Sequence, residues 1–272
     1  MSFVCPVCHG ELESFGNMKK CPRGHSFDRA KEGYYNLLLS KKGGMHGDNA
    51  EMVRARRAFL ERGYYEPLAE RVAERVLELT PRGGTVLDAG LGEGYYTDRV
   101  ERALALRDGT SRVHGFDISK TAVRYAAKKN PRLSLAVASS YDIPAADASF
   151  NTVISIFSPL AREEIHRVLS THGTFVFAYP GRRHLMGLKS AIYDLPRENE
   201  PDAAELAGFE LIASDRLNYT VTVNGADAVR ELFMMTPYAY RTGAAERDRL
   251  YALSSVSTEI EFCVDVYRKL FK

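Results

Sequence analysis

Two groups of residues in this chain have types and spacings that could do chemistry. The first is Cys5-Pro6-Val7-Cys8 followed by Cys21-Pro22-Arg23-Gly24-His25. Each half puts two soft ligands on one tight turn, and the spacer lets the two turns close around a single ion. Three thiolates and one imidazole fill a tetrahedral Zn²⁺ shell and leave no open position, so one structural zinc per chain is predicted, held by Cys5, Cys8, Cys21 and His25. His9 reads as a solvated neighbour. The fourth cysteine, Cys263, lies in the alternating run Ile260, Phe262, Val264, Val266 and reads as a buried structural thiol. Clustered cysteines of this kind indicate metal binding rather than disulfides.

The second group is Val86-Leu87-Asp88-Ala89-Gly90-Leu91-Gly92-Glu93-Gly94-Tyr95. A short apolar run delivers the chain to Asp88, glycines follow, and helix-like sequence begins. The pattern is G-x-G-x-G. A dinucleotide fingerprint needs its third glycine one residue later, and a phosphate-binding P-loop needs Gly-Lys-Ser/Thr; neither is present. An acid two residues before the first glycine suits a ligand with a cationic amino-acid moiety and no pyrophosphate, which describes S-adenosylmethionine. Asp117, in Gly115-Phe116-Asp117-Ile118-Ser119, falls where a carboxylate can accept from both ribose hydroxyls. The competing interpretation is a tight structural turn with Asp117 capping the next helix. Ala138 to Pro144 is a third loop, in which Asp142 could meet an adenine amine or simply close a turn.

The elements that must position these groups follow from periodicity. Strand-like runs at 85–87, 113–116, 133–137, 152–157 and 174–178 alternate with helical patterns at 95–106, 121–129 and 161–169. Two further helices precede them, one from Asn49 to Gly63 and one after Pro67. The stretches 210–216, 219–223 and 257–266 read as a late antiparallel pair at the sheet edge. The predicted fold is α/β, a class I S-adenosylmethionine-dependent methyltransferase domain (Rossmann-like, with a mostly parallel seven-stranded sheet) bearing a small N-terminal zinc-ribbon-like module. The expected division is a zinc-binding module over 1–40, a linker and N-terminal helices over 41–80, and the methyltransferase domain over 81–272. Within this, 41–48 reads as a flexible glycine-rich linker.

The chain has 272 residues, 45% of them hydrophobic, and a formal net charge of +2, which suits one medium domain plus a small one. No segment reads as a membrane span, and Met1 to Gly10 lacks the features of a secretory signal, so a cytoplasmic protein is expected. The charge is uneven: residues 1–44 hold seven basic side chains against four acidic ones. A locally basic tip on a near-neutral body suggests a polyanionic partner held at one end.

Cys5-Pro6-Val7-Cys8, Cys21 to Asp28, Ala30 to Tyr34 and Tyr35-Asn36-Leu37 resemble the N-terminal module of the bacterial 23S rRNA guanine-N1 methyltransferases, the RlmA family. So do Ala55 to Leu60, Gly92 to Thr97, Phe116 to Lys120, Ile156 to Pro159, His184-Leu185-Met186 and Met235-Thr236-Pro237. The resemblance is nearly full length. It implies methylation of N1 of a guanine in a domain II stem-loop (the hairpin 35 region) of 23S rRNA, by a homodimer whose zinc modules help grip the RNA. It adds Tyr65, Gly92, Glu93 and His184 as contacts to the methyl donor. The candidate set is therefore Tyr65, Asp88, Gly90, Gly92, Glu93, Gly94, Asp117 and His184. From the residues alone, Tyr65 reads as a core aromatic beside a helix and His184 as a solvated loop residue. Leu91 departs from the family, where cysteine often stands, and its side chain is expected to point away from the donor. Arg197 to Asp202 matches no motif. Members modify one or the other of two nearby guanines, and some confer macrolide resistance; features of both subgroups are present.

Guanine N1 carries a proton and lies on the Watson–Crick edge, so the base must be unpaired or flipped and must lose that proton. Phe157-Ser158-Pro159 sits where relatives of this fold hold the acceptor; Ser158 either bonds the base or caps the following helix. No carboxylate stands out as the base, so no catalytic residue is assigned. Two other functions compete: a methyltransferase for a small molecule, and a non-catalytic zinc-ribbon RNA-binding protein.

Overall fold

The computed structural model describes residues 3–39, 47–200 and 205–270. At the N-terminus, β1 (Glu13–Phe15), β2 (Met18–Lys20) and β3 (Ser26–Asp28) form a small antiparallel meander, and β4 (Tyr35–Asn36) follows. Then come α1 (Ala50–Glu61), α2 (Glu66–Leu79), β5 (Thr85–Ala89), α3 (Tyr95–Arg107), β6 (Arg112–Asp117), α4 (Lys120–Lys129) and β7 (Ser134–Val137). The rest is β8 (Phe150–Ile156), α5 (Arg162–Val168), β9 (Leu169–Pro180), α6 (Met186–Ile192), β10 (Phe209–Asn224), α7 (Ala226–Met234), α8 (Ala244–Tyr251) and β11 (Ser255–Lys269).

The main sheet runs β10-β11-β9-β8-β5-β6-β7-β4. From β9 to β4 the neighbours are parallel, while β11 pairs antiparallel with both β9 and β10. This is the class I S-adenosylmethionine methyltransferase arrangement. The chain order reverses at β5, flanked by β6 and β8, and in open sheets of this kind ligands bind beyond the carboxyl ends of the strands at that reversal. Asp88 and Asp117 lie at those two strand ends.

Strand side chains alternate between faces. Val86, Ile154 and Val176 join α2, α3, α4, α6 and α7 in one apolar core. Leu87, Val153, Phe175 and Phe177 point the other way, into a second core. There they meet α5 residues and also Phe3, Cys5, Leu12, Cys21 and Leu37 of the metal module.

Three features differ from the sequence reading. The sheet has eight strands rather than seven. The extra one, β4, is a two-residue parallel pairing with β7, too short to leave a period-two signature. The two late runs 210–216 and 219–223 are one continuous strand, β10, whose partner β11 carries it through with a single register shift. Residues 41–46 of the expected linker 41–48 lie outside the described residues, but Gly47 and Asp48 are packed against the following elements. A Cβ on Gly47 would come within 2.6 Å of Ile118 Cγ2, and the Asp48 carbonyl accepts a hydrogen bond from Ser119 Oγ at 3.1 Å.

Candidate methyl-donor and metal sites

The two metal-type turns are shaped by backbone hydrogen bonds. His9 N–H donates to Cys5 O in the first, and Gly24 N–H donates to Cys21 O in the second. They bring Cys5, Cys8, Cys21 and His25 together, with one ligand atom from each and all four within 4.8 Å of one another. Cys8 Sγ and Cys21 Sγ are 3.6 Å apart; His25 Nδ1 lies 3.5 Å from Cys5 Sγ and 3.3 Å from Cys21 Sγ. Those separations are edges of a tetrahedron with bonds of about 2.0–2.3 Å, so the donor set fits one structural zinc. His9 is exposed and outside the cluster, and Cys263 is buried in β11.

At the end of β5 the chain bends back so that Gly90 N–H and Leu91 N–H both donate to Phe116 O. Gly90 has φ +95°, and a Cβ there would meet Ser158 Cβ at 2.5 Å, so this turn excludes any side chain. Gly92, φ +57°, faces open space, with only an Arg56 nitrogen within 4 Å of the Cβ position. Gly94 precedes α3 and backs onto Ala126 of α4. Leu91 is buried and turned into the core.

Three acids converge around this bend. Asp88 is 1% exposed; its Oδ2 accepts from Thr97 Oγ at 2.6 Å, while its buried Oδ1 has no partner among the described residues. Burial, opposed by the Thr97 hydrogen bond and reinforced by the charges of Asp117 and Glu93, pushes its pKa up to about 7. Glu93 is equally enclosed, with Oε2 unpartnered, and burial raises its pKa too. Asp117 accepts from Gly92 N–H at 3.0 Å and Ser119 N–H at 2.7 Å, one to each oxygen. Each oxygen keeps a lone pair for a further donor. Buried carboxylates facing one another are stable as charges only if a cation joins them. Arg56, ion-paired with Asp48, is close enough to Glu93 and Asp117 to feel both, and the charge of Lys129 also reaches Glu93. The unsatisfied oxygens of Asp88 and Glu93, and the open approach over Gly92, fit the ammonium and ribose hydroxyls of S-adenosylmethionine.

An aromatic cluster is built around Tyr65. Tyr65 precedes α2, is 3% exposed, and packs edge-on to Phe59 and Phe262. His184 Nδ1 accepts from Glu261 N–H at 3.3 Å, so the neutral ring carries its proton on Nε2 and donates it to Tyr65 Oη at 3.2 Å. Burial, with the Lys189 charge adding to it, lowers the His184 pKa to about 3, which keeps the ring neutral. The Tyr65 hydroxyl proton is then left for another acceptor. Tyr65 is thus a core aromatic whose hydroxyl is bonded to His184, and His184 is buried rather than solvated.

Phe157, just past β8, has φ +53° and is 43% exposed, with its ring 5.4 Å from Phe262 and 6.5 Å from those of His184, Tyr65 and Tyr96. Ser158 does not cap the following helix. Its hydroxyl donates to Ala89 O at 2.6 Å and bonds Ser155 Oγ at 2.7 Å, tying the ends of β5 and β8 together, and α5 has no side-chain cap. Asp142 closes a turn, with its N–H on Ser139 O.

Sequence reasoning missed Arg56, Tyr96 and Asn199. Asn199, in the stretch without a motif, donates to Gly181 O and His184 O, and its Oδ1 accepts from the buried Lys189. It holds the loop that presents His184. Such long-range partners leave no local signature.

Comparison with known proteins adds to this geometry. Residues 3–42 match the family described as RlmA, N-terminal, and residues 86–173 match a methyltransferase domain. The chain is 32% identical over 271 residues to a Streptomyces fradiae 23S rRNA (guanine(748)-N(1))-methyltransferase, covering 96% of this chain and 95% of that one. It is likewise 32% identical over 280 residues to the Bacillus subtilis protein YxjB, which carries the same guanine-N1 activity as a provisional name, covering 97% and 95%. Among solved structures, the YcgJ protein of Bacillus subtilis shares the fold at TM-score 0.50 and 14% identity, over 75% of this chain and 98% of that one.

Proposed function

Because this chain belongs to the family of the 23S rRNA (guanine-N1)-methyltransferases, we propose that it transfers a methyl group from S-adenosylmethionine to N1 of a guanine in 23S rRNA, within the domain II stem-loop of the hairpin 35 region. One observation carries the reading: a single match at 32% identity runs through both the metal cluster and the donor turn, and the residues of each are brought together. The proposal includes a cytoplasmic homodimer, with residues 1–40 as RNA-gripping module, 41–80 as linker and N-terminal helices, and 81–272 as catalytic domain.

The zinc ion, when bound, supplies only cross-linking that folds the module around Cys5, Cys8, Cys21 and His25. S-adenosylmethionine, when bound, supplies a methyl made electrophilic by its sulfonium. The chain's own residues hold and shape. Asp88 and Glu93 offer buried carboxylate oxygens to the donor's amino-acid end, and Asp117 offers its free lone pairs to the ribose. The glycine bend at Gly90, Gly92 and Gly94 admits the donor against bare backbone. Tyr65, fixed by His184, closes the wall. Phe157, half-exposed beside Tyr65, is a platform on which a flipped base can stack, which would hold guanine N1 behind the methyl group. No side chain is assigned as the general base.

The test is transfer of label from tritiated S-adenosylmethionine to 23S rRNA, whole-cell RNA and a small-molecule extract, followed by primer extension. Incorporation into 23S rRNA with a stop at one domain II guanine is expected. Label only in the extract would replace this reading with a small-molecule methyltransferase, and donor binding without incorporation would leave a non-catalytic RNA-binding protein.

A further inference from the structure

The helix α4 is charged in a way that its own stability does not explain. Its exposed positions are Lys120, Arg124, Lys128 and Lys129, and it contains no acidic residue at all. Cations near a helix C-terminus complement the macrodipole, which accounts for Lys128 and Lys129. Lys120 is the first residue after the Ser119 cap, at the positive end, where a cation is unfavourable. Lys120, Arg124 and Lys128 are also spaced i, i+4, i+8, so like charges stack along one face and repel. Lys120 and Lys128 have no ion-pair partner among the described residues. Arg124 reaches Glu32 of the metal module at 3.2 Å, and the Arg57 guanidinium of α1 lies 5.1 Å over the Tyr125 ring, so the stripe is joined at both sides to other basic elements.

We infer that the exposed face of α4 is a phosphate-backbone contact surface for the RNA, running from the zinc module past the first residue of the helix, which follows Asp117 and Ser119 at the donor site. The inference rests on the RNA-methyltransferase reading above. A row of cations at about 6 Å intervals, of which Lys120 and Lys128 have no ion-pair partner among the described residues, matches the repeating phosphates of a polynucleotide and has no use for a small substrate. Its contribution is to position the substrate without reading bases.

The experiment compares the full-length zinc-bound protein with its Lys120→Gln/Lys128→Gln variant, measuring affinity for a domain II stem-loop transcript as a function of salt. Each lost phosphate contact removes about 0.7–0.9 from the slope of log K against log salt, so the slope should flatten by roughly 1.4–1.8 and affinity at 0.1 M salt should fall about tenfold or more. S-adenosylmethionine affinity should be unchanged and the melting temperature no lower, since two repulsive charges are gone. As a check needing no substitution, bound transcript should protect Lys120 and Lys128 of the wild-type protein from amine acetylation. An unchanged slope, or equal acetylation with and without RNA, overturns the role of α4. A wild-type protein that neither binds nor methylates the transcript would instead overturn the RNA reading on which it rests.

Discussion

At the scale of single residues, the site is organised by acids kept out of water without enough countercharge. Asp88 titrates at about 7 because it is buried beside Asp117 and Glu93. Its folded pKa lies above the ordinary 3.8, so the folded free protein favours the protonated form, and stability contributed by that proton is lost as pH rises through 7. A cationic ligand favours the opposite, charged form. Affinity for S-adenosylmethionine should therefore hold above pH 7 and fall as pH drops below it, approaching tenfold per pH unit, as calorimetry in buffers of different ionisation enthalpy would detect through proton release. Asp88→Asn should abolish that dependence, weaken binding at pH 8, and raise the melting temperature of the free protein at that pH by several degrees. A flat pH profile in the wild-type protein would mean that Asp88 does not face the donor. Tyr65 makes a second, independent case. His184 donates to its oxygen, so Tyr65→Phe removes a hydroxyl whose proton is otherwise available to the ligand. Donor affinity should fall about tenfold, the worth of one hydrogen bond to a charged partner, and the melting temperature should fall by a few degrees because the buried His184 Nε2–H loses its acceptor. If affinity holds and stability alone drops, the hydroxyl serves packing alone.

At the scale of elements, what could be read from the sequence was whatever lies close in the chain. The strand–glycine–helix turn at Val86 to Tyr95 declares itself because Asp88, the glycines and α3 are contiguous, and the alternation of strands and helices gives the parallel order around β5. The two ligand pairs of the zinc cluster are each local turns. Arg56 and Asn199 were invisible for the opposite reason. Arg56 acts on Glu93 and Asp117, tens of positions away, and Asn199 on the loop of His184, 10 to 18 positions away, so neither role shows in the residues beside it. Tyr65 and His184 entered only through family resemblance, and their hydrogen bond spans 119 residues. The glycine turn itself offers an element-scale test. Gly90→Ala would drive a Cβ into Ser158 and should destabilise the fold by several kcal/mol, whereas Gly92→Ala meets open space and costs only the strain of its positive φ, about 1 kcal/mol. Thermal melts should rank Gly90→Ala far below Gly92→Ala, while calorimetry should find donor binding weakened in Gly92→Ala despite its intact fold. Equal binding by Gly92→Ala and wild type would show that the open space over Gly92 is solvent rather than ligand.

At the scale of the whole molecule, the metal module and the catalytic domain are physically one body. Phe3, Cys5, Leu12, Cys21 and Leu37 lie in the same apolar core as Leu87, Phe116 and Ile143, the Phe3 ring meets His114 edge-on, and β4 extends the main sheet. A module of this size cannot hold itself folded by burial alone, so the cross-link at Cys5, Cys8, Cys21 and His25 keeps those apolar residues on the sheet. Removing zinc should then uncover the face of β6 and β7 as well as unfold the tip. Chelation is expected to lower the melting temperature of the entire chain in one cooperative transition, with the far-UV circular dichroism and the intrinsic tyrosine signal melting together. A loosely tethered module would behave differently, losing its own signal at low temperature while the catalytic domain melted where it did before, with donor affinity untouched. Since β6 ends at Asp117, the joined-body geometry further predicts that the metal-free protein binds S-adenosylmethionine more weakly as well as RNA, although no metal ligand lies at the donor site. Full donor affinity after complete zinc removal, verified by elemental analysis, would break the link between the two sites.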